Sequence, residues 1–597
     1  MKTWKILATM FAATVLVGCT SDDPSEDGWT NESWNETGRQ GGTTTGTALT
    51  GDLASFDVAI DDTQLSESDD VPAASDALYE DYVETYSAEN VIHINYNGGT
   101  ATIDGTADGV SVTTDGAHVV VNSTVKGMLY ELSGSTTNGS LKIYSEKKFE
   151  LVLNGVDITN PSGAAINNQG KRAYVVAVEG TENTLRDGSS YTMVGDEDQK
   201  GAFFSEGKLA FSGSGKLNVY AQGKNGIVSD DYILVRPNTN FYINASASNG
   251  MKSNDGIFIR GGVLNIEVSG DAEKGINTEG NITVDGGRTT IITTGTTEYD
   301  SDDNEYKGCA AMKADSAVTI NNGEVLLKST GNGGKGLKAG TTFTMNGGTL
   351  KAIATGKNSN SVSAKAIKAA GDIVVNDGNI MARSACHEGM ESKGKMTING
   401  GSIGIYSYDD GINAAGNLEI NGGSIYAYAL NNDAFDANGN LTINGGTVVG
   451  CGATGAEEGI DAAEGKTLSM NGGNVVGIGG GAEAASGSQQ KAVVSGVSVS
   501  SGTYLTVKDA KGNNIFALQM PRDYSGATLQ LSSEQFASGT TYTLSTASSA
   551  SGSTSFYGFI TGATVSNESK LSTFTTSTTT SGGMGGMGGG MGGGGRW

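Results

Sequence analysis

The chain has 597 residues, 65 acidic against 38 basic side chains, a formal net charge of −27, 92 glycines and 5 prolines. Collagen is excluded, since it needs glycine at every third position with abundant proline. A nucleic-acid partner is not expected, because so acidic a surface repels phosphate backbones. Simple disorder does not fit either: Ile, Val and Leu recur in alternation between the glycines, the pattern of many short strands joined by tight turns.

Taken in chain order, Lys2 and Lys5 precede an apolar run, Ile6 to Val17, that is too short to cross a bilayer comfortably. It ends in Leu16-Val17-Gly18-Cys19, which resembles the lipobox of bacterial lipoproteins. That resemblance implies a signal peptide over 1–18, lipidation of Cys19 and a membrane anchor. Thr20-Ser21-Asp22-Asp23 resembles the acidic surface-export signals of Bacteroidota lipoproteins, which points to an outer-membrane, cell-surface location. Cys309, Cys386 and Cys451 remain; three cannot all pair, so free thiols are expected, and no CxxC spacing marks a zinc site. Residues 19–88 are rich in Asp, Glu, Ser, Thr and Gly and read as a flexible, self-repelling tether.

Strands begin near Asn90. Asn-Gly-Gly or a near variant then recurs, among others at Asn346-Gly347-Gly348, Asn399-Gly400-Gly401, Asn421-Gly422-Gly423 and Asn444-Gly445-Gly446. Most spacings are roughly two dozen residues, which suits stacked β-coils. In one coil Ile412 points inward, Leu418 and Ile420 alternate inward around Glu419, and Gly422-Gly423 turn the corner. Ile425 and Ala427 then point in, leaving Tyr426 and Tyr428 outward. The expected fold is all-β: a right-handed single-stranded parallel β-helix over 89–485, its coils stacked at about 4.8 Å. Separate strands at Ala492–Val499, Tyr504–Val507, Ile515–Gln519, Ala527–Leu531 and Thr541–Thr546 predict a small sandwich-like C-terminal β-domain over 486–570. Such a domain would cap an open, aggregation-prone helix end. The Gly-rich segment 571–597, with Met584, Met587 and Met591, reads as a disordered tail.

Several stretches resemble a known family. They are Leu151-Val152-Leu153-Asn154-Gly155-Val156-Asp157, Gly163-Ala164-Ala165-Ile166, Glu179-Gly180-Thr181-Glu182-Asn183-Thr184-Leu185, Lys200-Gly201-Ala202-Phe203 and Asn225-Gly226-Ile227-Val228-Ser229-Asp230-Asp231. Together they look like the carbohydrate-binding-domain family of β-helical surface proteins from anaerobic bacteria, over roughly residues 90 to 545. The resemblance implies a fold similar to pectate lyases, binding of cellulose and polygalacturonate, and calcium.

Coil stacking turns repeated positions into columns. Glu388, Glu391, Asp410, Asn413, Asp433, Asp436, Glu458 and Asp461 make an acidic one; stacked like charges repel, and carboxylates with Asn and bend carbonyls are calcium's ligand set. Lys313, Lys335, Lys338, Lys365 and Lys368 make a basic one suited to uronate carboxylates, or to pairing with neighbouring acids. Tyr406, Tyr426 and Tyr428 are expected outward, as a surface on which sugar rings stack. No motif of catalysis is evident. The leading expectation is a non-catalytic, calcium-assisted binder of acidic polysaccharide; the alternatives are a calcium-dependent polysaccharide lyase, and a structural adhesin without a glycan ligand.

Overall fold

The computed structural model describes residues 56–584 apart from 193, 194, 196, 553 and 554. Cys19, the leader, and Met587 and Met591 of the tail lie outside the described residues.

Each coil contributes three short strands. In one of them Ile412–Ala414 starts the turn, Leu418–Ile420 forms the second wall and Ser424–Ala429 the third, before Phe435–Ala437 opens the next coil. Consecutive coils pair in parallel, so the expected parallel β-helix is present. The first wall is a 15-stranded sheet running from Val110–Asp115 to Asp461–Ala462. Its inward residues stack as Ile227, Met251, Ile276, Met312, Leu337, Ile367, Met390, Ile412 and Phe435. All are fully buried, so one continuous apolar bore runs the length of the helix.

The two corner glycines have different duties. Gly423 has φ of +87°, a left-handed conformation that a side chain disfavours. Gly422 faces the carbonyl oxygen of Asn399 on the preceding coil, only 2.8 Å from where a Cβ would stand. The asparagine before them builds a ladder. Asn321, Asn346, Asn376, Asn399, Asn421, Asn444 and Asn471 each donate from Nδ2 to the carboxamide or carboxylate of the coil before, at 2.7–3.0 Å, starting on Asp285.

The helix ends are covered. At the start, Asn90–Asn97 pairs antiparallel with Thr100–Asp104. At the finish, Tyr524–Ser533 pairs antiparallel with the last-coil strand Asn474–Gly479 and with Lys491–Val499. A five-stranded antiparallel sheet follows, in the order Phe559–Thr561, Asn514–Gln519, Tyr504–Lys508, Thr541–Ala547 and Ser569–Thr575. The last of these strands runs across the boundary expected at 570. The chain then returns to the helix, where Gly583–Met584 pairs with Gly481–Ala482.

The expected tether does not hold over the part that the structure describes. Residues 56–89 lie as a strap along the outside of the coils. Arg236, 1% exposed, is gripped by Asp69 at 2.9 Å and Glu84 at 2.8 Å and covers the Tyr82 ring. Arg288 pairs with Asp61, Arg260 with Asp76, Arg172 with Asp81, and Lys328 with Asp57. Leu78 and Tyr82 pack on Tyr174, Ala210 and Leu234. The strap's acids are therefore partners of the helix's cations, which composition alone reads as self-repulsion.

Candidate functional site

The outer face of the first wall carries one continuous file of polar side chains. Strand register aligns Lys252, Asn277, Lys313, Lys338 and Lys368, then Glu391, Asn413, Asp436 and Asp461. A second file sits two residues before each inward anchor, at the strand start for Lys335 and Lys365 and before the strand for Glu388, Asp410, Asp433 and Glu458. The columns read from the repeat are thus real, and they belong to one wall. Lys252 and Asn277 extend the basic end beyond the residues expected from sequence.

The basic half divides by depth. Lys313, Lys338 and Lys368 are partly open, and Lys313 pairs with Asp315 at 2.7 Å. Lys335 and Lys365 are buried, which removes them as direct contacts for a polymer. Lys335 donates to the carbonyl of Ser363 at 2.8 Å, and burial together with the neighbouring ammonium groups pushes its pKa down to about 7. Upstream, a groove of about 480 Å³ is lined by Lys200, Lys224, Asn225, Lys252, Asp230 and Glu279.

The acidic half divides too. Glu391, fully buried, ion-pairs with Lys365 at 2.8 Å, Lys368 at 3.4 Å and Lys393 at 2.6 Å, and Glu388 ion-pairs with Lys365 at 2.9 Å. These two expected metal ligands are already neutralised. Asp410, Asp433, Asp436, Glu458 and Asp461 are not: among the described residues no lysine or arginine ion-pairs with any of them. Asn413 donates to Asp410 at 2.8 Å and Asp436 at 2.6 Å. Burial and then the neighbouring carboxylates raise all five, to about 9 at Asp433, about 8 at Glu458, about 7 at Asp436, about 6 at Asp461, and well above the ordinary range at Asp410. Glu458 Oε2 is buried without a hydrogen-bond partner. Crowded oxygen donors lacking a counter-charge fit a hard divalent cation. Three of these carboxylates do not converge on one point, however. Among the described residues the triads whose donor atoms lie within 4.8 Å are His387-Glu388-Asp409 and Asp198-Glu206-Asp230.

The tyrosines expected on the surface are covered. Tyr406, Tyr426 and Tyr428 do point out of the third wall, but they are 3%, 1% and 5% exposed. Tyr406 and Tyr428 pack edge to face at 5.3 Å, and Tyr426 lies against Tyr557. The C-terminal segment folds over this face, with Arg522 Nη1 donating to the Leu430 carbonyl and the Tyr524 hydroxyl to that of Gly452. The exposed aromatic pair is elsewhere. Tyr299 and Tyr306, 48% and 43% exposed, face each other across the hairpin Glu298–Asp300/Glu305–Lys307 with ring centroids 5.2 Å apart. This hairpin is inserted just before the strand that carries Lys313, and Glu305 acts electrostatically on Lys338.

Comparison with known proteins places this geometry. The carbohydrate-binding domain-containing protein family matches residues 115–279, 271–358, 330–434 and 385–550, and the chain belongs to that family. A carbohydrate-binding domain-containing protein of Acetivibrio thermocellus is 33% identical over 125 residues, which is 20% of this chain and 42% of that protein. The chain thus spans less than half the length of that curated relative. A solved structure described as a polysaccharide lyase-like protein from C. thermocellum, gadolinium derivative, matches at 17% identity with a TM-score of 0.23, covering 64% of this chain and 98% of that one.

Proposed function

We propose that this protein binds an acidic polysaccharide, of the polyuronate kind, along the outer face of the first wall, with calcium as a bridge and without a catalytic step. The observation that carries the reading is the in-register file from Lys252 to Asp461, which presents one side chain per coil to a linear polymer. Lys313, Lys338 and Lys368 supply charge-assisted contacts to carboxylates. Asp410, Asp433, Asp436, Glu458 and Asp461, with Asn413, would hold calcium, which supplies positive charge toward ligand carboxylates. Tyr299 and Tyr306 offer ring faces beside the basic end. Weak contacts repeated along a chain make oligomers bind better than monomers. A lipid on Cys19 would hold the body at the outer membrane, and loss of fatty-acid labelling in Cys19→Ser checks that part.

The test is affinity electrophoresis of the protein through gels containing polygalacturonate, with calcium and with chelator. Retardation that weakens with chelator and in Lys338→Gln with Lys368→Gln is the expected result. Unretarded migration rules out this ligand class, and release of unsaturated uronides from the polymer would replace binding by lyase activity.

A further inference from the structure

Three donor atoms converge at the corner where the polar file changes sign. His387 and Glu388 occupy the bend before strand Met390–Ser392, and Asp409 the matching bend of the next coil, before Ile412–Ala414. His387 Nδ1 stands 3.1 Å from Asp409 Oδ2 and in contact with Glu388 Oε2, and the three atoms lie within 4.8 Å of one another. Glu388 is only 6% exposed.

Both carboxylates approach the same ring nitrogen. One N–H cannot point at two acceptors, and His387 Nδ1 is a buried atom with no well-formed hydrogen bond to either carboxylate, while Glu388 Oε2 also faces Lys365 Nζ at 2.9 Å. Two carboxylate oxygens gathered on one imidazole nitrogen match the donor set of a divalent metal ion. The surroundings support that. Asn432 Nδ2 donates to the other oxygen of Asp409 at 2.9 Å, the outer contact that orients a ligating carboxylate, and the His387 backbone N–H donates to Ser384 Oγ at 3.2 Å, fixing the bend. Lys365 Nζ, 2.9 Å from Glu388, has Glu391 as a second anionic partner at 2.8 Å and can remain with it when a cation arrives.

We propose that His387 Nδ1, Glu388 and Asp409 bind one divalent transition-metal ion, with zinc as the reference. An imidazole nitrogen selects this class against calcium, which takes oxygen donors. Two carboxylates and a neutral imidazole balance the charge of the ion, and three protein ligands leave a position open to water or a ligand oxygen. The site takes Glu388 from the acidic file but none of the residues proposed to hold calcium, and it does not depend on the glycan reading.

The experiment uses the full chain, stripped with chelator and titrated with cobalt(II) and with zinc by calorimetry, cobalt also by its visible absorption. One equivalent should bind, with an absorption typical of low-coordinate nitrogen–oxygen ligation, and millimolar calcium should not displace it. His387→Ala and Asp409→Asn should abolish that equivalent, and Asn432→Ala should weaken it by about ten- to a hundredfold. His93→Gln, which removes the exposed His93–Glu131 pair, and Cys386→Ser should leave it unchanged. Melting curves of the metal-free variants confirm that they are folded. No cobalt or zinc binding by the parent chain, or an equivalent that survives His387→Ala, overturns the assignment.

Discussion

Lys368 and Glu391 occupy the same position in consecutive coils, their charged groups 3.4 Å apart, and the outer file of the first wall changes from basic to acidic between them. The boundary is neutralised by Lys365 and Lys393, so the unpaired charge lies further along: cationic at Lys338, anionic toward Asp461. A polymer lying along this wall would meet both.

Lys335 provides a pH test of the basic end. Burial first and neighbouring ammonium groups second lower its pKa to about 7, below the roughly 10.4 of an unfolded lysine. Between those values the unfolded chain binds more protons than the native one. Stability due to this group therefore rises with pH from about 7 to about 10.4, by at most roughly 1.4 kcal/mol per unit, and is lowest below 7. Lys335→Met should raise the melting temperature at pH 7 and remove this part of the slope above it. Thermal melts of both proteins from pH 6 to 10 check this; parallel curves would contradict it.

The Asn ladder should be worth measuring in one rung. Asn421→Ala removes the bond to Asn399 and the one received from Asn444. Because the rungs are exposed, water replaces part of the loss, and a cost of about 1–2 kcal/mol in denaturant melts is expected. Gly423→Ala, which forces a side chain into a left-handed φ, should cost at least about 1 kcal/mol by the same measurement.

The walls, their register and the charged columns were legible because the Asn-Gly-Gly corners recur and each strand alternates. That alternation tells which residues leave the bore; it does not tell what covers them. Tyr426 leaves the bore as expected, but Tyr557, more than a hundred residues later, closes over it. The strap was hidden for a related reason. Asp61, Asp69 and Asp76 have no apolar period, and their partners Arg288, Arg236 and Arg260 lie in separate coils far along the chain. His387 and Asp409 carry no local motif, since they meet only through coil stacking.

The strap can be tested through its deepest anchor. Asp69→Asn with Glu84→Gln leaves the Arg236 guanidinium buried without anionic partners, a change that costs about 3–5 kcal/mol when no rearrangement relieves it. Here relief is available if residues 56–89 lift off. The expected outcome is rapid proteolysis within 56–89 with the β-helix core left intact. A strap as protease-resistant as that of the parent would show that its apolar contacts hold it alone.

Calcium should act on the acidic end. At a hundredfold excess over the dissociation constant, a ligand specific for the native state adds about 2.7 kcal/mol. Millimolar calcium should therefore raise the melting temperature, and chelator should reverse it. Asp433→Asn with Asp436→Asn should abolish the calcium effect while stabilising the calcium-free protein, because it removes two buried acids whose raised pKa costs stability at neutral pH. A calcium response that survives in the double variant would move the site elsewhere on the chain.

The tyrosines separate the two faces. Tyr406 and Tyr428 lie beneath the C-terminal segment, whereas Tyr299 and Tyr306 stand open on a hairpin beside the basic end of the file. A sugar ring can reach only the second pair. Tyr299→Ala with Tyr306→Ala should weaken retention on polygalacturonate about tenfold, near 1.4 kcal/mol, with an unchanged melting curve, since two exposed rings on an inserted hairpin contribute little to the core. Tyr428→Ala should do the reverse, lowering stability by about 3–5 kcal/mol through the cavity left under the C-terminal segment, with retention at 20 °C intact in whatever fraction stays folded. Affinity electrophoresis and thermal melts on the same three preparations decide the matter. If the hairpin variant is retained like the parent, the ring contact is not there and charge alone must carry the binding; if Tyr428→Ala melts like the parent but loses retention, the third wall is the glycan face and the C-terminal cover must open to expose it.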